Sequence, residues 1–460
     1  MKTEEKPFAY ASDASKSGEV TSRSRNEEFD FHDVSLANGV RLHIKKTDFK
    51  QKQILVSVQI GEGLLSLDPS RRALSAVAMG VLRRCGFEEH SQDDLRRLNA
   101  GKRVGYSFAV ADDHFRMDGT TTREDLVREL ELMCAQLTHP GWCAEGLTQF
   151  NNQVAKDVER LKHEHTTPIY SEFLPAVYSD DPRYAWITKA SVEAVEMSDV
   201  SSWLEPEFAS APIDVVLVGD LDVDEAVAGA ARTFGMLAKR RVADQHEDRR
   251  GPITLKTGLR ETYSVDTTVP KTLVFMAFPV TDGRETVTRR HLVSLGAVLN
   301  DRLRIEVRER LGAAYSPSVA ADLSEVTPGD GVLFISAMAD PGNVDALVEA
   351  CASTAEKLAT GGVTQEEFDR LRTSNLATFR DVLRTNQYWI VALSRIHTTS
   401  TVIEDLRSHA KYNETVRPED LTLLAKAYLK RERANVAIVA PAAVNKDAQK
   451  VAPAPPEKKD

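Results

Sequence analysis

Glu88, Glu89 and His90, in the stretch CGFEEHS, combine carboxylates with an imidazole and are therefore of the types that take part in metal chemistry. A helical His-x-x-Glu-His motif binds zinc through its two imidazoles, while its glutamate activates a water molecule. Glu89 and His90 stand in the last two places of that motif, but Gly86 stands where the first histidine is needed. The stretch therefore predicts a solvated loop after a helix that ends at Gly86, and not a zinc site.

The stretch LKHEHTTP is the second place with metal-binding residue types. His163, Glu164 and His165 are consecutive there, and consecutive positions on a helix do not share a face. The sequence also contains no H-E-x-x-H, Walker A, G-x-S-x-G or G-x-G-x-x-G motif. We therefore predict that this chain binds no metal itself.

Arg308 and Tyr315 form a third candidate site, seven residues apart in RERLGAAYSPSV. An arginine and a tyrosine hydroxyl are hydrogen-bond donors, which can stabilise negative charge that develops on a peptide carbonyl oxygen. A structural role is the alternative, because a cation in the last turn of a helix complements the helix dipole and a tyrosine ring packs well in a strand.

A long helix must position Arg308. Apolar residues recur at helical spacing before it, and Gly312 suits the position after the last helical residue. AAYSPSVAADL then predicts a strand that returns from the helix. The apolar positions are Leu292, Leu295, Val298, Leu299, Leu303, Val307 and Leu311.

The chain repeats itself at a constant offset. Leu126 and Leu347, Leu137 and Leu358, Glu145 and Glu366, and Asp199 and Asp420 are each 221 residues apart, as are VVLVG and VAIVA. A gap-free offset over about a hundred residues predicts two copies of one domain. Each copy begins with alternating strands (VRLHIKK and QILVSVQIG, then KTLVFMAFPV) and continues mainly with helices. This order predicts an α+β fold, in which each domain is a mostly antiparallel sheet with helices packed on one face.

The predicted organisation has five parts. A flexible lead-in covers residues 1–28, the first domain residues 29–238, a charged linker residues 239–252, the second domain residues 253–441, and a disordered Pro/Ala/Lys tail residues 442–460. The linker AKRRVADQHEDRRGP contains breakers and charges, and the tail is too poor in apolar residues to form a core.

Composition limits the partners. The 460 residues have a formal net charge of −10 and no dense Lys/Arg stripe, so a nucleic acid is not expected as a partner. No apolar stretch is long enough to span a bilayer, and no signal peptide is visible, so the chain as written is expected in the cytoplasm. A periplasmic location is expected instead if it is the C-terminal half of a longer exported chain. The four cysteines are scattered and are expected to be reduced.

RERLGAAYSPSV, the opening VSLANGVRLHIKKTDFK and the duplicated layout resemble the pitrilysin/insulinase family of inverted zincins, which includes the mitochondrial processing peptidases. The resemblance covers nearly the whole chain. It implies two half-enzymes of two domains each that enclose a chamber. One half carries zinc, and the other contributes an arginine and a tyrosine, seven residues apart, to the bound peptide. Arg308 and Tyr315 match that element.

The resemblance also locates a missing zinc motif. The motif would lie on the helix SRRALSAVAMGVLRRCG, where Ala76, Met79 and Gly80 take the places of the two histidines and the glutamate. The third ligand would fall near Asp157 and Glu159. The chain therefore resembles the zinc-less half, inactive alone. Its implied partners are a zinc-bearing half and an unstructured peptide substrate.

Three alternatives stay open on the sequence. The zinc-bearing half is either a separate subunit or another part of one longer protease. Alternatively, the chain is a structural subunit without a role in proteolysis, or a module that binds peptides without cleaving them.

Overall fold

A computed structural model describes residues 7–242, 246–312, 317–399 and 401–442 of the chain. Tyr315 lies outside these residues. The fold is α+β, as predicted, with two mixed sheets. The strands are β1 (Val20–Asn26), β2 (Phe31–Leu36), β3 (Arg41–Lys46), β4 (Ile54–Ile60), β5 (Tyr106–Val110), β6 (Phe115–Thr121), β7 (Ile213–Gly219), β8 (Arg260–Val265), β9 (Thr272–Pro279), β10 (Ser318–Leu323), β11 (Gly331–Ala339) and β12 (Asn435–Pro441).

Helices follow the strands in both halves of the chain. They are α1 (Ala73–Cys85), α2 (Gln92–Leu98), α3 (Leu126–Thr138), α4 (Ala144–Leu161), α5 (Leu174–Val177), α6 (Lys189–Glu193), α7 (Met197–Ser210), α8 (Val223–Arg232), α9 (Thr286–Leu311), α10 (Val344–Gly361), α11 (Gln365–Val382), α12 (Asn386–Ser394), α13 (Val402–Thr415) and α14 (Pro418–Tyr428).

The chain forms two compact units, each made of three segments. The first unit comprises Met1–Val154, Ile187–Arg250 and Asn375–Lys411, and the second comprises Ala155–Trp186, Gly251–Ser374 and Tyr412–Asp460. Each unit therefore contains one repeat together with a segment of the other repeat. The two exchanged segments, 155–186 and 375–411, occupy nearly equivalent places in the repeat, because the offset of 221 maps 155 onto 376 and 186 onto 407.

The five strands of the second sheet correspond in order to five of the seven strands of the first, which has β1 and β2 in addition. The sheet of the first unit has the order β1-β2-β3-β7-β4-β6-β5, and that of the second has the order β10-β11-β9-β12-β8. In both, the last strand of the repeat is inserted in the middle, antiparallel to β4 or β9 and parallel to β3 or β8. The duplication predicted from the sequence is thus confirmed at the level of strand order.

Each sheet packs a helix layer on one face, as the apolar periodicity predicts. In the first unit, Val56, Val58 and Val215 lie in a core with Val77 and Leu204 of the helices. The same arrangement in the second unit buries Val274, Met276 and Leu333 against Leu295 and Leu299 of α9. Every side chain named in these two sets is at most 1% exposed, so both cores exclude water.

The opposite face of each sheet is covered in part by an exchanged segment, which the sequence did not indicate. In the first unit, Val216 and Val218 of β7 pack against Trp389 and Leu393 of α12. The second unit buries Phe275 of β9 against Phe173, in residues 155–186. Strands buried on both faces are mostly apolar, and β7 (IDVVLVG) is apolar apart from the buried Asp214.

Two predicted boundaries need correction. The lead-in predicted for residues 1–28 contains β1, which pairs with β2. The linker predicted for residues 239–252 is anchored within the first unit, because the buried Arg240 donates to the carbonyl oxygens of Ala211 and Phe208 at 2.7 and 2.8 Å. β1 and Arg240 both satisfy backbone groups of the first unit and so belong to it. The other bounds remain predictions.

Candidate functional site

Helix α1 carries the three positions at which the zinc motif would lie. Ala76, Met79 and Gly80 all line a cleft of about 1660 Å³ in the first unit. We call it the α1–β5 cleft. Its walls come from α1, α2, α12 and the strands β4, β6 and β5. Gly86 ends α1 with a φ of 71°, as predicted, since this conformation favours glycine.

Gly80 is closely covered by an aromatic ring. A Cβ added to Gly80 would lie 2.2 Å from Cδ2 of Phe150 in α4, which is far inside van der Waals contact. The Arg84 guanidinium lies 5.3 Å from the centre of the same ring and donates to the Gly80 carbonyl oxygen at 2.8 Å. A histidine at position 80 is therefore incompatible with the place that Phe150 occupies.

A disulfide holds the same two helices together. Cys85, the last residue of α1, is bonded to Cys143, which immediately precedes α4. The expectation of four reduced cysteines is therefore wrong for this pair, which is 58 residues apart in sequence. The two cysteines do not form a C-x-x-C pair, so no local sequence pattern indicated the disulfide. Cys134 and Cys351 are free, and burial raises the pKa of each thiol to about 12.

His90 of CGFEEHS is not solvated, which corrects the sequence prediction. Its side chain is 1% exposed and stacks on Phe8, and its Nε2 accepts a hydrogen bond from the backbone N–H of Ala9 at 3.1 Å. Glu88 and Glu89 are exposed, as expected. His90 is thus part of a small aromatic cluster under the N-terminal segment, a structural role that does not need metal.

The residues near the place of a third zinc ligand make local ion pairs. In α4, Glu159 pairs with Lys162 at 2.6 Å and Asp157 with Arg160 at 3.8 Å. Of the candidate histidines, His165 has its Nε2 2.7 Å from the carbonyl oxygen of Lys271, to which a ring N–H can donate. No group of three or more His, Cys, Asp or Glu residues suited to a metal occurs among the described residues. Since α1 offers no ligand and Phe150 covers Gly80, the residues present do not fit a zinc ion.

Cations dominate the polar lining of the α1–β5 cleft. Among the described residues, seven arginine or lysine side chains line it, against the single carboxylate of Asp118. Four of these cations pair with carboxylates, and the other three have no carboxylate within ion-pair distance in the described part of the chain. The seven are Arg83, Arg84, Arg96, Lys102, Arg103, Arg116 and Arg395. This excess contrasts with the net charge of −10 for the whole chain.

A buried ionic network lies on the α12 side of the first unit's sheet. Asp214 of β7 is fully buried and has three cationic neighbours: Arg41 at 2.6 Å, His43 Nε2 at 3.0 Å and His397 Nδ1 at 2.5 Å. The other ring nitrogens face acceptors too, because His43 Nδ1 lies 2.6 Å from an Asp33 oxygen and His397 Nε2 lies 3.0 Å from the Gly61 carbonyl oxygen. Both rings must therefore donate from both nitrogens, so both are imidazolium ions.

The pKa shifts in this network follow from its geometry. Burial alone would lower the pKa of His43 and of His397, but their hydrogen bonds to Asp214 outweigh burial and raise both pKa values. Burial likewise opposes the charge on Asp214, yet the two imidazolium donors hold its pKa well below the ordinary value. No motif in the sequence indicated this network, because its members come from β3, β7 and the segment 375–411.

Arg308 lies where the sequence predicted it. It is exposed in the last turn of α9, and the Gly312 N–H donates to its carbonyl oxygen at 3.1 Å. Gly312 has a φ of 88° and ends the helix, as expected. Since Tyr315 lies outside the described residues, the geometry of the Arg308–Tyr315 pair stays a prediction.

Comparison with known proteins relates part of this chain to a known family. Residues 203–375 match the family model described as the peptidase M16 inactive domain. Over these residues the chain is similar to a peptidase M16 inactive domain. The resemblance noted from the sequence is thereby confirmed.

Proteins similar to this chain include processing peptidases. The chloroplastic stromal processing peptidase of Pisum sativum is 20% identical over 432 residues, which cover 83% of this chain and 34% of the pea protein. The probable zinc protease PqqL of Escherichia coli is 22% identical over 368 residues, which cover 78% of this chain and 38% of PqqL. The chain thus spans little more than a third of the length of these two relatives.

Solved structures share the fold. The crystal structure of PqqL, described as a periplasmic protease, matches 95% of this chain and 48% of its own with a TM-score of 0.76 at 18% identity. The peptidase M16 inactive domain from Pseudomonas fluorescens matches 89% of this chain and 98% of its own with a TM-score of 0.72 at 17% identity. Among the described residues, none of the helices combines the length and apolar character needed to cross a membrane.

Proposed function

We propose that this M16 chain is the non-catalytic half of a zinc metalloendopeptidase. In this role it closes the chamber around a peptide, and a partner half supplies the zinc. The observation that carries the proposal is the state of α1: it lies in an M16 fold, but its motif positions bear Ala76, Met79 and Gly80, and Phe150 covers the last of them. A chain with this helix needs a second, zinc-bearing half for hydrolysis.

The lengths of the relatives support the division into halves. The match to the PqqL structure covers nearly all of this chain but only 48% of the PqqL chain. In the proposal, a partner of similar length corresponds to the other part of PqqL. In the proposal that partner carries His-x-x-Glu-His, either as a separate subunit or as another part of one longer polypeptide. Zinc would polarise the peptide carbonyl and activate water there.

Arg308 and Tyr315 are proposed to contact the peptide. Arg308 is exposed at the end of α9, and no carboxylate lies within ion-pair distance of it among the described residues. A guanidinium in that state is free to donate hydrogen bonds to the carbonyl oxygens of an extended peptide or to the oxygen that becomes negative during hydrolysis. Tyr315, seven residues later, is the second proposed donor.

The experiment measures turnover of a quenched fluorescent peptide by the chain assembled with its zinc-bearing partner. Loss of one oxyanion donor typically lowers kcat by about a hundredfold or more. We therefore expect Arg308→Ala combined with Tyr315→Phe to lower kcat by at least about a hundredfold, with assembly unchanged on gel filtration. Arg304→Ala is the matched control, since Arg304 is also exposed in α9, and it should retain turnover. Normal turnover of the double variant would exclude the assigned roles.

The alternative is a zinc-free structural or peptide-binding subunit with no role in proteolysis. No specific observation on the described residues favours it over the helper half. The same experiment separates the two, because a structural subunit would tolerate loss of Arg308 and Tyr315 as long as the assembly forms.

The disulfide gives information about the cellular compartment in which the chain folds. Bonds such as Cys85–Cys143 persist in oxidising compartments and are rare in the cytosol. It therefore supports the periplasmic alternative over the cytoplasmic location expected from the visible sequence, and we propose an oxidising compartment for this chain.

A further inference from the structure

The charge balance of the α1–β5 cleft is the feature that the proposed function leaves unexplained. Four of the seven lining cations have carboxylate partners: Arg116 pairs with Asp118 at 2.6 Å, Arg395 with Asp405 at 3.1 Å, and Arg96 and Lys102 pair with acids next to the cleft. These pairs are neutral and are weak binding elements, because each cation already has its anion.

The other three cations lack such partners. Among the described residues, no carboxylate lies within ion-pair distance of Arg83, Arg84 or Arg103. Arg84 donates to the Gly80 carbonyl oxygen, and Arg103 donates to the Lys52 carbonyl oxygen at 3.3 Å. Because a guanidinium has five N–H donors, most of the donors of these three arginines are available to a ligand. Burial and the adjacent charge of Arg83 lower the pKa of Arg84, so an anion at this place would relieve an unfavourable charge.

Size and shape indicate which kind of anion fits. The cleft volume of about 1660 Å³ exceeds the roughly 300–1,000 Å³ of typical small-molecule pockets, so a phosphate ion would occupy a small part of it. Apolar side chains from three elements also line it, namely Met79, Phe108 and Ile390.

The edge of the sheet adds a backbone-binding element. β5 is the terminal strand of its sheet and pairs only with β6 among the described residues. Gly105, Tyr106 and Ser107 at its beginning line the cleft. A strand edge of this kind has N–H and C=O groups that an extended peptide can use.

We propose that the α1–β5 cleft binds an acidic segment of a peptide in extended conformation, whose carboxylates pair with Arg83, Arg84 and Arg103. The cleft then holds part of the substrate on the helix that has no zinc ligands, while cleavage takes place on the partner half. This inference deepens the proposed function by giving the chemical class of the peptide. Binding to the purified chain tests it separately, because no partner half is needed.

The experiment uses fluorescence anisotropy with a labelled peptide of about ten residues that is rich in Asp and Glu, and a counterpart with Asn and Gln at the same positions. The purified chain should bind the acidic peptide at least about tenfold more tightly than the amide counterpart. This is the gain in affinity expected from three partly exposed ion pairs together. Binding should also weaken as salt is raised.

Two triple variants test the location. Arg83→Gln, Arg84→Gln and Arg103→Gln together should weaken binding of the acidic peptide about tenfold. The matched control removes the same charge outside the cleft, through Arg23→Gln, Arg25→Gln and Arg407→Gln, whose guanidinium groups pair with exposed carboxylates of the first unit. It should bind within about twofold of the unchanged chain, since distant charges are screened. Near-UV circular dichroism establishes that both variants are folded.

Three results would overturn the proposal: equal affinity for the acidic and amide peptides, equal affinity of the two triple variants, or displacement of the peptide by inorganic phosphate at the concentration of the peptide itself. The last would identify a general anion site. Each of these leaves the helper-half function intact, since that function is tested by turnover with the Arg308 and Tyr315 variants.

Discussion

At the scale of residues, the buried Asp214 shows how an ion network can be recognised from acceptor geometry alone. Each nitrogen of His43 and His397 faces an oxygen acceptor, which requires two imidazolium ions. Breaking a buried ion pair by removing one partner leaves uncompensated charge, which costs about 3–5 kcal/mol. The network therefore makes stability of the first unit depend on pH.

The pH dependence has a definite sign. The raised pKa values of His43 and His397 stabilise the fold fully below about pH 6.5, the unfolded value, and this contribution is lost as pH rises through the folded values. The lowered pKa of Asp214 contributes above about pH 4 and is lost as pH falls. Arg41, Asp33 and the ring of His114, 6.2 Å from that of His397, also face the network. We predict maximal stability between about pH 4 and pH 6.5 from these groups.

Asp214→Asn tests this network. We expect a loss of about 3 kcal/mol in the free energy of unfolding at pH 6, together with a flatter dependence on pH between 6 and 9. Urea denaturation at a series of pH values measures both. Asp33→Asn is the control, because the Asp33 side chain is 44% exposed and its loss should cost much less. An unchanged pH slope in Asp214→Asn would refute the assignment.

At the scale of elements, α4 packs against α1 at the place where the zinc motif would lie. Phe150 lies against Gly80, and Cys85–Cys143 joins the end of one helix to the start of the other. A glycine in the interior of a helix usually lowers helix stability by about 1 kcal/mol relative to alanine. Here its lack of a side chain admits the Phe150 ring.

We predict that the effect of Gly80→Ala changes sign with residue 150. In the unchanged chain, the added methyl group should lower stability by about 1 kcal/mol, because overpacking of about 1–3 kcal/mol exceeds the gain in helix propensity. In the Phe150→Ala background, the same substitution should raise stability by about 0.5–1 kcal/mol. Thermal and urea unfolding of the four variants in this double-mutant cycle measure the coupling. Additive effects would contradict the contact.

The sequence predicted some of these elements and missed others for physical reasons. The periodicity of α9 and the glycines at positions 86 and 312 gave helix ends correctly, because both depend on local chemistry. The disulfide and the burial of His90 were missed, because both depend on contacts between residues distant in the chain. The cationic cleft was missed for the same reason: its arginines are dispersed among acids in the sequence and converge only through the fold.

At the scale of the whole molecule, the duplication explains why most of the architecture could be predicted. Two copies at a constant offset predicted one topology, and the order β3-β7-β4-β6-β5 of the first sheet recurs as β8-β12-β9-β11-β10 in the second. The exchange of residues 155–186 and 375–411 between the units could not be predicted in the same way. An amphipathic helix pattern indicates that a face is buried but does not specify which sheet buries it.

The family assignment and the site of missing zinc also belong to this scale. Ala76, Met79 and Gly80 were identified by resemblance, and the structure places all three on the lining of one cleft. The roles of Arg308 and Tyr315 remain predictions, because they concern a peptide bound in a chamber completed by another half.

The central claim, a helper half that depends on a zinc-bearing partner, is tested most directly by metal content and hydrolysis before and after assembly. The chain is purified from its native cells with and without its bound partners, and zinc per polypeptide and cleavage of an unstructured peptide are measured. We predict less than about 0.1 zinc and no hydrolysis for the chain alone, and one zinc with chelator-sensitive hydrolysis for a complex whose other half contains His-x-x-Glu-His. One tightly bound zinc in the isolated chain, with hydrolysis, would contradict the account.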